Sequence, residues 1–161
     1  MHIGIISDTH GRKAIVENVA ELLRQRGVSC VLHCGDIDDA ETVGLFGGLT
    51  VHFVFGNCDM ERASIRQAIA AIGGTLQEPF GNLEIEGCKI AWIHGDDKRL
   101  LQDLEHSGAF DFLFYGHTHH AEQHRTGPTR VVNPGALQRA RVKSFAILDL
   151  NTRGLESVIA E

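Results

Sequence analysis

Apolar positions in the first part of the chain follow two alternating periods. Ile3 to Ser7 (IGIIS), Cys30 to Cys34 (CVLHC) and Val51 to Phe55 (VHFVF) are short, nearly unbroken apolar runs, the pattern of strands covered on both faces. Between the first two, Ile15, Val16, Val19, Leu22 and Leu23 recur at helical spacing across Lys13 to Gln25, and Gly27 stops the helix. A weaker helical pattern spans Asp39 to Leu45, and a further helix runs from Arg62 to Ala71 and ends at Gly73-Gly74. Strands joined by crossover helices predict a sheet that begins parallel.

The second half changes character. Asn82 to Glu86 and Lys89 to Ile93 flank Gly87-Cys88 as a hairpin, Leu100 to His106 is a short helix, and Phe110 to Tyr115 (FDFLFY) is another strand. Four more strands are predicted at Glu122 to Arg125, Thr129 to Asn133, Ser144 to Leu150 and Leu155 to Ile159. Turn signals separate them: Thr126-Gly127-Pro128, Asn133-Pro134-Gly135 and Asn151-Thr152-Arg153-Gly154. The pattern is α/β, with two mixed sheets facing each other and helices outside both. A length of 161 residues suits one domain, residues 1–161, without a linker or repeat.

Composition narrows the setting. The chain is 43% apolar and 22% charged, and no apolar run approaches the roughly 20 residues that span a bilayer. The first predicted strand begins at the N-terminus, which argues against a cleaved signal peptide and for the cytoplasm. Cys30, Cys34, Cys58 and Cys88 form no paired zinc pattern and are expected to be reduced. Cys30 and Cys34, four apart in a strand, would lie about 13 Å apart, too far for a disulfide. A net charge of −6 opposes stable nucleic-acid binding. The basic group Arg139, Arg141 and Lys143 reads as a solvated edge. Homo-oligomerisation is left open.

Chemistry enters where strands end. Asp8-Thr9-His10, Gly35-Asp36, Gly56-Asn57, His94-Gly95 and Gly116-His117-Thr118-His119 each follow a predicted strand, at the carboxyl edge where open α/β sheets hold ligands. If these segments are extended, Asp8 with His10, and His117 with His119, point to common sides. The glycines before Asp36, Asn57 and His117 would let backbone turn or approach closely. Two carboxylates, one amide and four imidazoles, without a thiolate, suit Mn²⁺, Fe, Co²⁺, Zn²⁺ or Ni²⁺ rather than a structural zinc. Seven donors exceed the need of one ion, so two divalent metal ions bridged by Asp36 is the economical arrangement. Such a pair clamps attacking and departing oxygens and supplies a hydroxide nucleophile, which suits phosphoester hydrolysis.

The ordered segments DTHG, GDID, GNCD, HGD and GHTH resemble the signature of the calcineurin-like metallophosphoesterases, most closely their small bacterial and archaeal phosphodiesterases, over nearly the whole chain. The resemblance implies a four-layer α/β/β/α sandwich and a dinuclear site, with Mn²⁺ the foremost cofactor. One ion would take Asp8, His10, Asp36 and His119, and the other Asp36, Asn57, His94 and His117. Asp36, Asn57 and His94 are expected to carry catalysis on a small phosphodiester, attacked by a metal-bound hydroxide. Arg12, Cys58, Asp59 and His120 are the expected substrate contacts. The general pattern has a His where this chain has Cys58, which bears on protonation of poor leaving groups. Two alternatives are a non-catalytic protein-binding scaffold of the same fold and a small-molecule phosphomonoesterase. The complete donor set favours the enzyme over the scaffold.

Overall fold

Both faces of the inner strands are covered, which is why they read as unbroken apolar runs. In the computed structural model, which describes residues 1–161, β1 (His2–Ile6), β2 (Cys30–His33) and β3 (Val51–Phe53) lie parallel in register. With β4 (Thr75–Leu76), β10 (Ser144–Asp149) and β11 (Gly154–Ile159) they form a six-stranded sheet in the order β11-β10-β1-β2-β3-β4. The second sheet has five strands, β5 (Gly81–Ile85), β6 (Cys88–Ile93), β7 (Phe112–Tyr115), β8 (Glu122–Thr126) and β9 (Thr129–Asn133), in the order β5-β6-β7-β9-β8. Its β6, β7 and β9 are parallel.

Strand alternation divides the apolar side chains among three layers of core. Ile3, Ile5, Cys30, Leu32 and Cys34 of one sheet meet Cys88, Ile90, Trp92, Phe112 and Phe114 of the other. On the far side of the first sheet, Ile6, Val31, Phe53 and Phe145 pack on α1 (Lys13–Gln25), α2 (Ala40–Gly44) and α3 (Arg62–Ala71). On the far side of the second, Ala91, Ile93, Leu113 and Val131 pack on Leu104 of α4 (Lys98–His106). The result is the four-layer arrangement of helices, sheet, sheet and helix. Gly81 serves it directly: a Cβ there would lie 2.1 Å from the fully buried Trp92 ring.

Helices α1 and α3 have the bounds their periodicity predicts. Helix α4 starts two residues earlier than expected because Asp97 caps it, accepting from Leu100 N at 3.0 Å. In the hairpin, Glu86 and Gly87 both take positive φ (52° and 70°) as a two-residue turn, so Cys88 belongs to β6 and not to the loop. The two-residue β4 was not predicted, being too short to show a period. All four cysteines are free, and no helix is long and apolar enough to cross a membrane.

Candidate metal centre

The five donor segments leave the carboxyl ends of β1, β2, β3, β6 and β7 and meet where the two sheets adjoin. Backbone hydrogen bonds tie the first two loops together: Asp8 N donates to Gly35 O at 3.0 Å and His10 N to Asp36 O at 3.1 Å. The segments are not extended. Asp8, His10, Asp36, His117 and His119 all adopt positive φ (55°, 40°, 56°, 69° and 61°), a left-handed conformation costly for residues with a Cβ. The simple alternation expected for Asp8/His10 and His117/His119 is therefore replaced by tight turns. These bring Asp8 and His10 together and send His117 and His119 to different neighbours.

Around Asp8, the donor atoms of Asp8, His10, Asp36 and His119 all lie within 4.8 Å of one another. His119 Nε2 is 3.1 Å from Asp8 Oδ1 and 3.4 Å from His10 Nε2. A second group gathers on His94, whose Nε2 is 2.9 Å from Asn57 Oδ1, 3.3 Å from His117 Nδ1 and 3.2 Å from Asp36 Oδ2. Asp36 Oδ2 is also 3.6 Å from His10 Nε2, so one carboxylate faces both groups.

Hydrogen bonding sets the imidazole tautomers. His94 Nδ1 lies 2.9 Å from the Cys34 carbonyl and His119 Nδ1 lies 3.3 Å from the Arg139 carbonyl. Each Nδ1 donates there, which turns the lone pair of Nε2 inward. Lone pairs of imidazole, carboxylate and amide thus converge with no donor between them, an arrangement that a cation satisfies. The His10 Nδ1 is buried without a partner, while its Nε2 faces both carboxylates. Burial opposes ionisation of Asp36, yet the hydrogen bond and charge of His94, with the Cys58 N–H and His10, hold its carboxyl far below the usual range. Burial likewise opposes charge on His94, but Asp36 and Asp8 raise its basicity.

Close approach explains two glycines. A Cβ on Gly56 would lie 2.1 Å from Asp36 Oδ1, and one on Gly116 would lie 1.9 Å from Ser7 Oγ and 2.6 Å from Asp8 Oδ2. Ser7 in turn donates to Asp8 Oδ2 at 2.6 Å, and His117 N donates to the same oxygen at 3.0 Å.

The expected substrate contacts fare differently. Asp59 is only 1% exposed and accepts from four backbone amides, Asp36 N (3.0 Å), Ile37 N (2.8 Å), Asp38 N (2.9 Å) and Gly56 N (2.8 Å). Both its oxygens are committed to clamping the two loops, so it is a positioning residue and not a substrate contact. Arg12 is exposed at the start of α1, makes no side-chain hydrogen bond, and lines a surface cavity with Lys143 and Glu161 that contains none of the donor residues. Cys58 is half-buried, and its N–H donates to Asp36 Oδ1 at 2.8 Å. Burial and the Asp36 charge push its thiol pKa up, against the pull of Arg139. His120 is exposed and its ring has no partner. Sequence reasoning missed the roles of Asp59 and of the Arg139 carbonyl. Positive φ at Arg139 (56°) aims that carbonyl, and nothing in the side chain signals it.

Fold and site together define a metallophosphoesterase. The chain belongs to the calcineurin-like phosphoesterase superfamily, whose domain model matches residues 1–153. It is similar to Phosphodiesterase MJ0936 of Methanocaldococcus jannaschii, 28% identical with both chains covered in full, and to the probable metallophosphoesterase YsnB of Bacillus subtilis, 27% identical over 93% of this chain and 85% of that protein. Among solved structures, a novel archaeal phosphodiesterase superposes with a TM-score of 0.92 at 27% identity, covering 99% of each chain. The zinc complex of Vps29 from Entamoeba histolytica shares the fold, with a TM-score of 0.70 at 23% identity and 99% of each chain covered.

Proposed function

We propose that this chain is a dinuclear metal-dependent phosphodiesterase acting on small diesters. The observation that carries the reading is Asp36 Oδ2, 3.6 Å from His10 Nε2 on one side and 3.2 Å from His94 Nε2 on the other. In this reading Asp8, His10, Asp36 and His119 hold one divalent ion and Asp36, Asn57, His94 and His117 the other. The two ions, Mn²⁺ foremost and Ni²⁺, Zn²⁺, Fe or Co²⁺ as alternatives, would activate water and neutralise charge on the phosphoryl oxygens.

The chain supplies orientation. The carbonyls of Cys34 and Arg139 fix the tautomers of His94 and His119, and the Cys58 N–H holds the second oxygen of Asp36. Cys58 and His120 remain candidates for contact with substrate at the rim. Two facts favour diesters over monoesters: a similar archaeal protein carries the name phosphodiesterase, and the chain has a thiol where the general pattern has a proton-donating imidazole. Free thiols at all four cysteines accord with a reducing, cytoplasmic setting.

The test is an assay of metal-stripped protein, restored with Mn²⁺, on bis(p-nitrophenyl) phosphate and on p-nitrophenyl phosphate. Turnover is expected only with metal, and chiefly on the diester. Absence of metal-dependent diester turnover overturns the reading, and a dominant monoesterase activity moves it to the phosphatase alternative.

A further inference from the structure

Beside the metal centre lies a cavity of about 220 Å³ that shares Gly56 and His94 with it. This is smaller than the roughly 300–1,000 Å³ of sites that enclose a drug-sized ligand, so it has room for one ester arm and not for a whole dinucleotide. Its wall is built. The Arg62 guanidinium stacks on the Phe55 ring, 4.7 Å from its centroid, and is fixed by Nε donating to Asp59 O at 3.1 Å. Glu78 lies beside it, 3.9 Å from Arg62 and paired with Arg66 at 2.5 Å, and the loop after β6 adds Asp96 and Asp97. Asp97 is occupied as the cap of α4, whereas the carboxylate of Asp96 is exposed and has no hydrogen-bond partner. Three carboxylates therefore stand around this space against the guanidiniums of Arg62 and of Arg66, which also stacks on Phe55, and the carboxylate of Asp96 is the one left uncommitted.

We infer that this cavity seats one arm of the diester and that its charge selects neutral or cationic arms, such as an amino alcohol, over arms bearing a second negative charge. The inference rests on the diesterase reading and names the substrate class for it. A phosphate or carboxylate on the arm would meet the free carboxylate of Asp96, while the guanidinium of Arg62 is already committed to Phe55, Asp59 and Glu78 and that of Arg66 to Phe55 and Glu78. A quaternary ammonium or a hydrogen-bond donor would instead meet the free carboxylate of Asp96.

The experiment uses three p-nitrophenyl diesters of similar arm size: choline (cationic), 3,3-dimethylbutyl (neutral) and carboxypropyl (anionic). In the metal-loaded protein kcat/KM is expected to fall from cationic through neutral to anionic. Because Asp96 is exposed, Asp96→Asn should narrow the cationic-to-anionic ratio by about two- to fivefold, and Asp96→Lys should narrow it further, with the neutral diester moving least. In parallel, phosphocholine added to the Zn²⁺-loaded protein should shift the backbone amide resonances of Phe55 and Leu100, which line the cavity. A charge preference that is absent, or that both Asp96 variants leave unchanged, overturns the inference while leaving the diesterase reading intact. Failure to hydrolyse any of the three diesters instead defeats that reading. The resonance shifts then decide alone whether the cavity holds the arm, and no shift at Phe55 or Leu100 counts against it.

Discussion

His33 Nε2 lies 3.2 Å from Thr9 Oγ1, and this contact joins the two loops that carry the carboxylates of the metal centre. Gly35 N donates to His33 Nδ1 at 3.1 Å, which leaves the ring proton on Nε2 facing Thr9, whose hydroxyl is within reach of the Asp36 and Ile37 carbonyls. The ring is fully buried between Phe46 and Phe53, and burial pushes its pKa down to about 3 from the ordinary 6.5, against the pull of Asp8 and Asp36. Below pH 6.5 the unfolded chain binds this proton and the folded chain does not, so stability present at neutral pH drains away as pH falls toward 3. The slope should approach 1.4 kcal/mol per pH unit, about one proton. Replacing His33 with Phe leaves the Gly35 N–H unpaired, at a cost of about 1–3 kcal/mol at pH 7.5. Urea unfolding at pH 7.5 and 5.0 in the presence of chelator reads both effects: the variant should start lower and lose less on acidification. Equal slopes in the two proteins would remove His33 as the source.

Asp59 makes a second test of the loop architecture. Its carboxylate receives four backbone N–H groups, from Asp36, Ile37, Asp38 and Gly56. Asp59→Ala orphans them together, so a loss of several kcal/mol is expected from unpaired buried donors at about 1–3 kcal/mol each, partly relieved by entering water. Thermal unfolding should show a drop of many degrees together with weaker metal retention. A substrate contact would behave otherwise, raising KM at unchanged stability.

The strands and helices were legible because burial on both faces leaves unmistakable apolar runs and because α1 and α3 carry full helical periods. The convergence of the proposed donors was legible for a related reason: an Asp, Asn or His immediately after such a run stands at a sheet's carboxyl edge whatever the loop then does. How the loops turn was not legible. Residue type alone does not reveal that Asp8, His10, Asp36, His117 and His119 sit at positive φ. Asp59 follows Asn57 closely enough to look like part of the site, and only the approach of the Gly35-Asp36 loop, 22 and 23 residues away for Ile37 and Asp36, shows that its oxygens are occupied. The Arg139 carbonyl had no signature at all, since any residue supplies one.

Gly56 and Gly116 are predicted to be intolerant of alanine for a reason distinct from their flexibility. The added Cβ would meet Asp36 Oδ1 at 2.1 Å in one case and Ser7 Oγ at 1.9 Å in the other. Overpacking of this kind costs about 1–3 kcal/mol, and the carboxylates are displaced with it. Gly56→Ala and Gly116→Ala should therefore both lower bound metal per chain after dialysis, measured by elemental analysis. A control is Gly87→Ala, where the added Cβ meets nothing within 4 Å, and metal content should be unaffected.

If Asp36 bridges two ions, its removal and that of a terminal ligand differ in stoichiometry. Asp36→Asn takes away the negative charge facing both His10 and His94, so occupancy should fall at both positions. His119→Ala removes a donor only from the group around Asp8, and about one ion per chain should remain. Retention of two ions by dialysed Asp36→Asn would show the bridging assignment to be wrong.

Cys58 is the position at which the chain departs from the general pattern of its superfamily, and its chemistry sets the last expectation. The thiol is half-buried beside Asp36, and burial with that carboxylate's charge makes it a weaker acid than a free thiol. A thiol is a weak hydrogen-bond donor to a departing alkoxide, while activated aryl leaving groups need no donor. Cys58→Ser should leave turnover of bis(p-nitrophenyl) phosphate within a few-fold of the parent. Cys58→His should add a proton donor, and because positioned acid catalysis contributes about 10²- to 10⁴-fold, diesters with alkyl leaving groups should gain markedly while aryl diesters change little. The comparison of alkyl and aryl kcat values in one variant separates this from a general change in stability or metal loading. A collapse of aryl diesterase activity in Cys58→Ser, with metal content and fold preserved, would assign the thiol a direct part in the reaction.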